Sequence, residues 1–209
     1  MTVIQALAAF TLAAGLLTIT PGLDTALVLR TAAVEGPKRA IFASIGILAG
    51  CFVWGAVAAF GLGALLVASK LAFTILKWAG AAYLLWLGIN LILKPRDSFE
   101  VADATARPAG GDTAWMRRGF VSNLLNPKMG VFYVSFLPQF LPQGVPAGPF
   151  MLGLTAIHAL LGVLWFALLI AATQPIAKAL RRAAVVRWLD RLTGGVFVAF
   201  GLRLAFDRR

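Results

Sequence analysis

The chain has 209 residues, 60% of them hydrophobic and 13% charged, with a mean hydropathy of +0.87. These proportions exclude an ordinary soluble domain, because so much apolar surface cannot be hidden from water. The net charge of +11 does not point to nucleic acid, since the nineteen Lys and Arg lie mostly in short clusters beside apolar runs and act as an orientation signal.

With lipid as solvent, every backbone group in a spanning segment must be paired within the protein. The apolar runs are continuous rather than alternating, which predicts an all-α membrane protein and disfavours a barrel. Six segments emerge, near residues 3–30, 41–68, 71–93, 118–141, 147–173 and 187–206. The first is about 42 Å long at helical rise, more than one crossing needs, so it must tilt or break. Pro21-Gly22 supplies a break. No Lys or Arg precedes Arg30, so this segment lacks the basic start of a cleavable signal and is expected to be retained. Residues 94–117, with Pro95, Arg96, Asp97, Glu100, Asp103, Pro108, Gly110, Gly111 and Asp112, read as a polar linker.

Basic residues set the expected topology. If the amino terminus is outside, thirteen Lys and Arg fall in inner loops and three, Lys70, Arg208 and Arg209, fall outside. Lys77, Lys128 and Arg203 lie within segments. This bias places both termini in the periplasm and the linker in the cytoplasm.

The two halves resemble each other. Pro21 and Pro127 each break the first helix of a three-helix unit, and Gly88-x-Asn90-Leu91 has an echo in Gly201-x-Arg203-Leu204. Two tandem units of three crossings face opposite ways, so residues 1–93 and 118–209 are expected to form two inverted three-helix repeats with broken first helices. Pro21 lies nine residues before Arg30 and Pro127 nine after Arg118, which puts both about 13 Å from the cytoplasmic surface, near the midplane.

The chemistry concentrates at these breaks. Thr20-Pro21-Gly22 and Asn126-Pro127-Lys128 each combine a cap-forming residue with a proline favoured at a first helical position. Each is read either as a kink in a packed helix or as a half-helix starting inside the membrane, with free N–H groups suited to an anion. Asp24 is the one acidic residue expected at depth, where insertion of a carboxylate costs roughly 3 kcal/mol. It is expected to bind a cation, take up a proton or stabilise its own helix start. Lys128 sits where the helix dipole disfavours a cation, so an anion is expected beside it: Asp24 or a substrate carboxylate, unless the side chain reaches for the surface. Together Thr20, Pro21, Gly22, Asp24, Asn126, Pro127 and Lys128 suit a zwitterion, and free amino acids fit that description.

His158, the single histidine, lies near the middle of the fifth segment. It is read as a hydrogen-bonded packing residue or, with Asp24, as part of a proton relay. Gly46-x-x-x-Gly50 permits close helix packing, with a rocking surface or a homodimer face as alternatives. Trp115 and Trp188, beside basic clusters, read as interfacial anchors. Cys51 is the only cysteine and reads as a small packing residue. One His, one Cys and one deep Asp make no metal-ligand set, so neither a metal nor another cofactor is expected.

Thr20-Pro21-Gly22-Leu23-Asp24, the Gly46/Gly50 segment, residues Leu76 to Gly88 (LKWAGAAYLLWLG) and Asn126-Pro127-Lys128 together resemble the LysE/RhtB family of amino-acid exporters, in order and over nearly the whole chain. The resemblance implies a secondary transporter in the bacterial inner membrane that exports amino acids such as threonine, homoserine, leucine or lysine, driven by proton antiport. Its partners are then the amino acid, protons and the lipid bilayer, with no nucleic acid. Leu23 departs from the family pattern, which often has a second proline there. The rival classes are an intramembrane enzyme, which needs a nucleophile–base pair or metal cluster, and a non-transporting scaffold, which leaves paired polar breaks without a purpose.

Overall fold

The computed structural model describes residues 2–61, 70–96, 111–180 and 182–206. Residues 97–110 of the expected linker, Gly63 and the basic end at Arg208 and Arg209 lie outside the described residues.

Every regular element among the described residues is helical: α1 (Val3–Ile19), α2 (Leu23–Val34), α3 (Pro37–Ala56), α4 (Lys70–Leu93), α5 (Asp112–Leu124), α6 (Pro127–Val131), α7 (Ala147–Ala171), α8 (Thr173–Leu180) and α9 (Ala183–Phe206). A π-helical turn, Val57–Gly61, extends α3; a π-helical turn, Phe132–Phe136, and a 3-10 turn, Leu137–Phe140, extend α6. Local chemistry explains the boundaries. Thr2 and Gln5 form a reciprocal capping box at the start of α1, satisfying two donors that the helix leaves free. Between α2 and α3 the chain reverses at Gly36, whose φ of 92° is open to glycine at little cost, and Pro37 starts α3.

The long apolar helices show why lipid is the solvent. Pro37–Gly61 and Ala147–Ala171 are each long and apolar enough to cross a membrane, and α1 with α2, bent by 51° at the break, is apolar enough as a pair to form a broken span or a re-entrant loop. The remaining helices are interrupted or carry charge: α5 and α6 are divided at Asn126-Pro127, and α9 contains Arg187, Asp190 and Arg191. Large apolar side chains such as Leu12, Phe60, Trp86, Leu125, Leu164 and Phe206 point outward, as hydrocarbon surroundings allow.

Association of the helices rests on small residues, since lipid provides no hydrophobic force between them. α3 and α5 run parallel in near backbone contact. A Cβ on Gly46 would overlap the Met116 carbonyl, one on Gly119 the Ala43 carbonyl, and one on Gly50 would lie 2.6 Å from Asn123 Oδ1. Gly46 and Gly50 thus meet α5 within the chain. α4 and α9 pack antiparallel through Gly88 and Gly194, where a Cβ on either would come within 2.7 Å of the other's carbonyl. Gly201 meets Leu85 on the same seam. α3 and α7 are also antiparallel, with Gly55 against Thr155 and Gly162 against Leu48. Between these pairs lies an aromatic core in which Phe10, Phe132, Phe136, Phe140 and Phe200 pack, mostly tilted or edge to face, at centroid distances of 4.2–6.0 Å.

Two expectations are corrected here. α5 begins at Asp112, inside the stretch read as linker, because Lys38 at the start of α3 pairs with Asp112 at 2.7 Å and favours that helix start. Trp115 is not an interfacial anchor: it is 1% exposed, with the Arg118 guanidinium 4.5 Å above its ring. Trp188 is 62% exposed.

Candidate functional site

The second break is capped by its own residue. Asn126, in extended conformation, accepts the Lys128 amide on Oδ1 at 3.1 Å, and Pro127 takes the first helical position of α6. The other end of the same side chain reaches across the molecule, with Asn126 Nδ2 donating to Asp24 Oδ2 at 3.4 Å. One asparagine therefore ties the start of α6 to the start of α2.

Asp24 lies in the first turn of α2 and is buried. Asn123 Nδ2 donates to Oδ2 at 2.9 Å, and Ser122 Oγ to Oδ1 at 3.5 Å. All three donors come from the end of α5 and the cap of α6. Charge-assisted hydrogen bonds of this kind stabilise a buried carboxylate. The Asn123 amide orientation follows from them: its Oδ1 has no partner among the described residues, while turning it toward Asp24 would set oxygen against oxygen.

The first break is built differently from the expectation. Thr20 is the C-cap of α1, and Gly22, not Thr20, is the N-cap of α2. The reason is that the Thr20 hydroxyl turns back to the Leu16 carbonyl at 2.7 Å, closing α1, and it is held on its far side by the Thr193 hydroxyl. Gly22 has no side chain to cap with, so α2 starts without one. Leu23 occupies the first position of α2 and is 58% exposed; the break persists without a second proline.

Neighbours supply the groups this break lacks. Arg96 Nη2 donates to the Pro21 carbonyl at 2.9 Å. The same guanidinium pairs with Asp190 through Nε at 3.0 Å and Nη2 at 2.5 Å, and the Arg96 amide adds a third bond at 3.0 Å. Asp190, an acid not expected at depth, is fully buried, which its several bonds to Arg96 make tolerable.

Lys128 is not paired with Asp24, the protein partner named for it. Its Nζ donates to the carbonyls of Leu17 at 2.9 Å and Thr20 at 3.1 Å, and no Lys128–Asp24 ion pair within 4.0 Å occurs among the described residues. The end of α1 has unpaired carbonyls and partial negative charge, so it serves as the anion.

His158 on α7 bonds through Nδ1 to the Tyr133 hydroxyl at 2.8 Å, and its ring lies 4.9 Å from that of Phe132. The π-helical turn of α6 carries both aromatic residues. Leu17, Thr20, Gly22, Asp24, Cys51, Asn126, Lys128 and His158 line a common cavity, with Trp165 and Phe166 of α7 also on its wall. It measures about 40 Å³, room for a few waters only. Pro21 and Pro127 shape the breaks without lining it.

Ser122, Asn123, Arg96, Asp190, Thr193 and Tyr133 were not singled out from sequence. Ser122-Asn123 carried a signal, two polar residues just ahead of the second break inside an apolar segment. Asp190 carried none, because an acid between Arg187 and Arg191 reads as a solvated helix end.

No solved structure matches this chain. Relatives of established name match over most of their length. The homoserine/homoserine lactone efflux protein of Salmonella typhimurium is 32% identical over 96% of this chain and 96% of its own. The leucine efflux protein of Klebsiella pneumoniae is 31% identical over 90% and 88%, and the threonine efflux protein of Salmonella typhi 30% over 91% and 92%. The profile of the family described as LysE type translocator matches residues 16–208. The protein is thus a membrane transporter rather than an enzyme, and it belongs to the LysE type translocator family.

Proposed function

We propose that the chain exports amino acids from the bacterial cytoplasm across the inner membrane, by proton antiport, through the site where its two helix breaks meet. The observation that carries this reading is the cavity bounded by an anionic side chain, Asp24, a cationic one, Lys128, and helix ends from both breaks. A zwitterion needs both signs of charge at short range, and broken helices at mid-membrane supply them with little reorganisation. The names of the relatives support small amino acids of the homoserine, threonine and leucine kind, with lysine as a further candidate.

The chain crosses six times in two inverted repeats, with both termini in the periplasm and the linker in the cytoplasm. The parallel packing of α3 with α5 and the antiparallel packing of α4 with α9 and of α3 with α7 are the senses this plan requires. Protonation of Asp24 from the outside removes the charge that holds Ser122, Asn123 and Asn126. α2 then loosens from α5 and α6 and the carrier resets, with His158 and its Tyr133 partner as a second proton-handling pair.

The test is efflux from vesicles loaded with labelled threonine, homoserine, leucine and lysine, with an imposed proton gradient. At least one should leave faster than from vesicles without the protein, and Asp24→Asn should lower its gradient-driven rate by at least about tenfold, the equivalent of 1.4 kcal/mol. If none leaves faster than from empty controls, the reading is wrong.

A further inference from the structure

The end of α1 holds an ammonium group, and the group it holds belongs to the protein itself. The carbonyls of the last turn are allotted one by one: Leu16 to the Thr20 amide and hydroxyl, Leu17 and Thr20 to Lys128 Nζ, while Pro21 beyond them goes to Arg96. Two of the three donors of the lysine ammonium are spent on this pair of oxygens. Leu17, Thr20 and Lys128 all line the cavity between the breaks, and Gly22 brings its backbone close, a Cβ there lying 3.6 Å from Lys128 Nζ.

We propose that the Leu17 and Thr20 carbonyls are the α-ammonium subsite of the transported amino acid, and that Lys128 fills this subsite when no substrate is bound. The proposal rests on the export reading above and specifies its binding step.

Three observations carry it. The alternative partner for a substrate ammonium, Asp24, already accepts from Ser122, Asn123 and Asn126. The cavity has no room for an amino acid as it stands, so something must leave, and Lys128 is held by two main-chain oxygens at the end of a flexible stem. Finally, a primary α-ammonium equals the lysine ammonium in charge, donor number and size, so it can take those oxygens without rebuilding them.

The exchange also explains why a zwitterion is required. Lys128, once displaced, is a cation in the first turn of α6, where the dipole opposes it. It needs an anion, and the substrate carboxylate is two bonds from the incoming ammonium. An amine alone leaves Lys128 without a partner, and a carboxylate alone does not displace it. Either half of the molecule is a poor ligand for the intact protein.

The test uses purified full-length protein and two minimal probes, methylammonium and acetate, at constant ionic strength. In Lys128→Met the subsite is vacated, so methylammonium should raise the melting temperature saturably, with affinity at least tenfold above wild type. Leucine, threonine or homoserine should compete with it. In wild type, the melting temperature should be raised saturably by an amino acid that the protein exports and by neither probe. Acetate that stabilises wild type but not Lys128→Met would assign Lys128 to the carboxylate from the outset and overturn the proposal. So would methylammonium without effect on Lys128→Met, or binding beside the amino acid without competition. If Lys128→Met does not fold, Lys128→Gln and the wild-type melting assay decide. Failure of the export reading is seen separately, as absent efflux by wild type.

Discussion

Thr20-Pro21 and Asn126-Pro127 look alike in sequence, a small polar residue followed by proline, yet the two breaks are stabilised by opposite means. At Asn126 the polar residue starts the following helix, caps it and still has a donor left for Asp24. At Thr20 the hydroxyl finishes the preceding helix, and the groups left over are satisfied from elsewhere: Arg96 on Pro21, Lys128 on Thr20 and Leu17, Thr193 on Thr20. A self-capped break is set by local sequence. A break capped by its neighbours depends on Arg96, Lys128 and Thr193 staying in place, and in the export mechanism proposed above it is the break that responds to substrate.

That contrast can be broken most severely at Asp190. Asp190→Ala removes the carboxylate that positions Arg96 on the Pro21 carbonyl. It should destabilise the detergent-solubilised protein by about 2–3 kcal/mol in chemical unfolding, somewhat below the range for a fully buried pair because Arg96 reaches water. Arg96→Gln in the Asp190→Ala background should add little, since the pair acts as a unit; full additivity would show that the two residues act independently.

Asn126 separates its two duties. Asn126→Ala loses the cap and should cost about 1 kcal/mol. Asn126→Asp keeps an acceptor for the Lys128 amide but sets a second carboxylate beside Asp24, so its efflux should be no better than that of Asn126→Ala even where its stability is higher. Equal stability and equal efflux in Asp and Asn would remove the bridge to Asp24 from the mechanism.

Smaller still is Thr193→Val, which deletes one hydroxyl contact to Thr20 and should cost about 0.5–1 kcal/mol, read as a lower melting temperature. Last is Leu23→Pro, which gives the first break the helix-starting proline that the second has in Pro127. Leu23 is exposed and follows an extended Gly22, so the change should be neutral or stabilise by about 0.5 kcal/mol. A loss of folded protein would mean that the Leu23 amide has a partner essential to this break.

The local rules that could be read along the chain are those that act within a few residues. Continuous apolar runs called for helices because lipid pairs no backbone groups, proline marked both breaks, and Asn126 was legible as a cap because its partner is two residues away. The small residues on α3 were recognisable as a packing stripe, though not that α5 would be its partner. What the tertiary structure decided were pairings across distance: Lys128 on the end of α1, Asp190 beneath Arg96, Asn123 on Asp24. A buried charge takes whichever compensating group the packed helices bring within about 3 Å. Main-chain carbonyls leave no mark in sequence, so the partner of Lys128 was the one least open to reading from the chain alone.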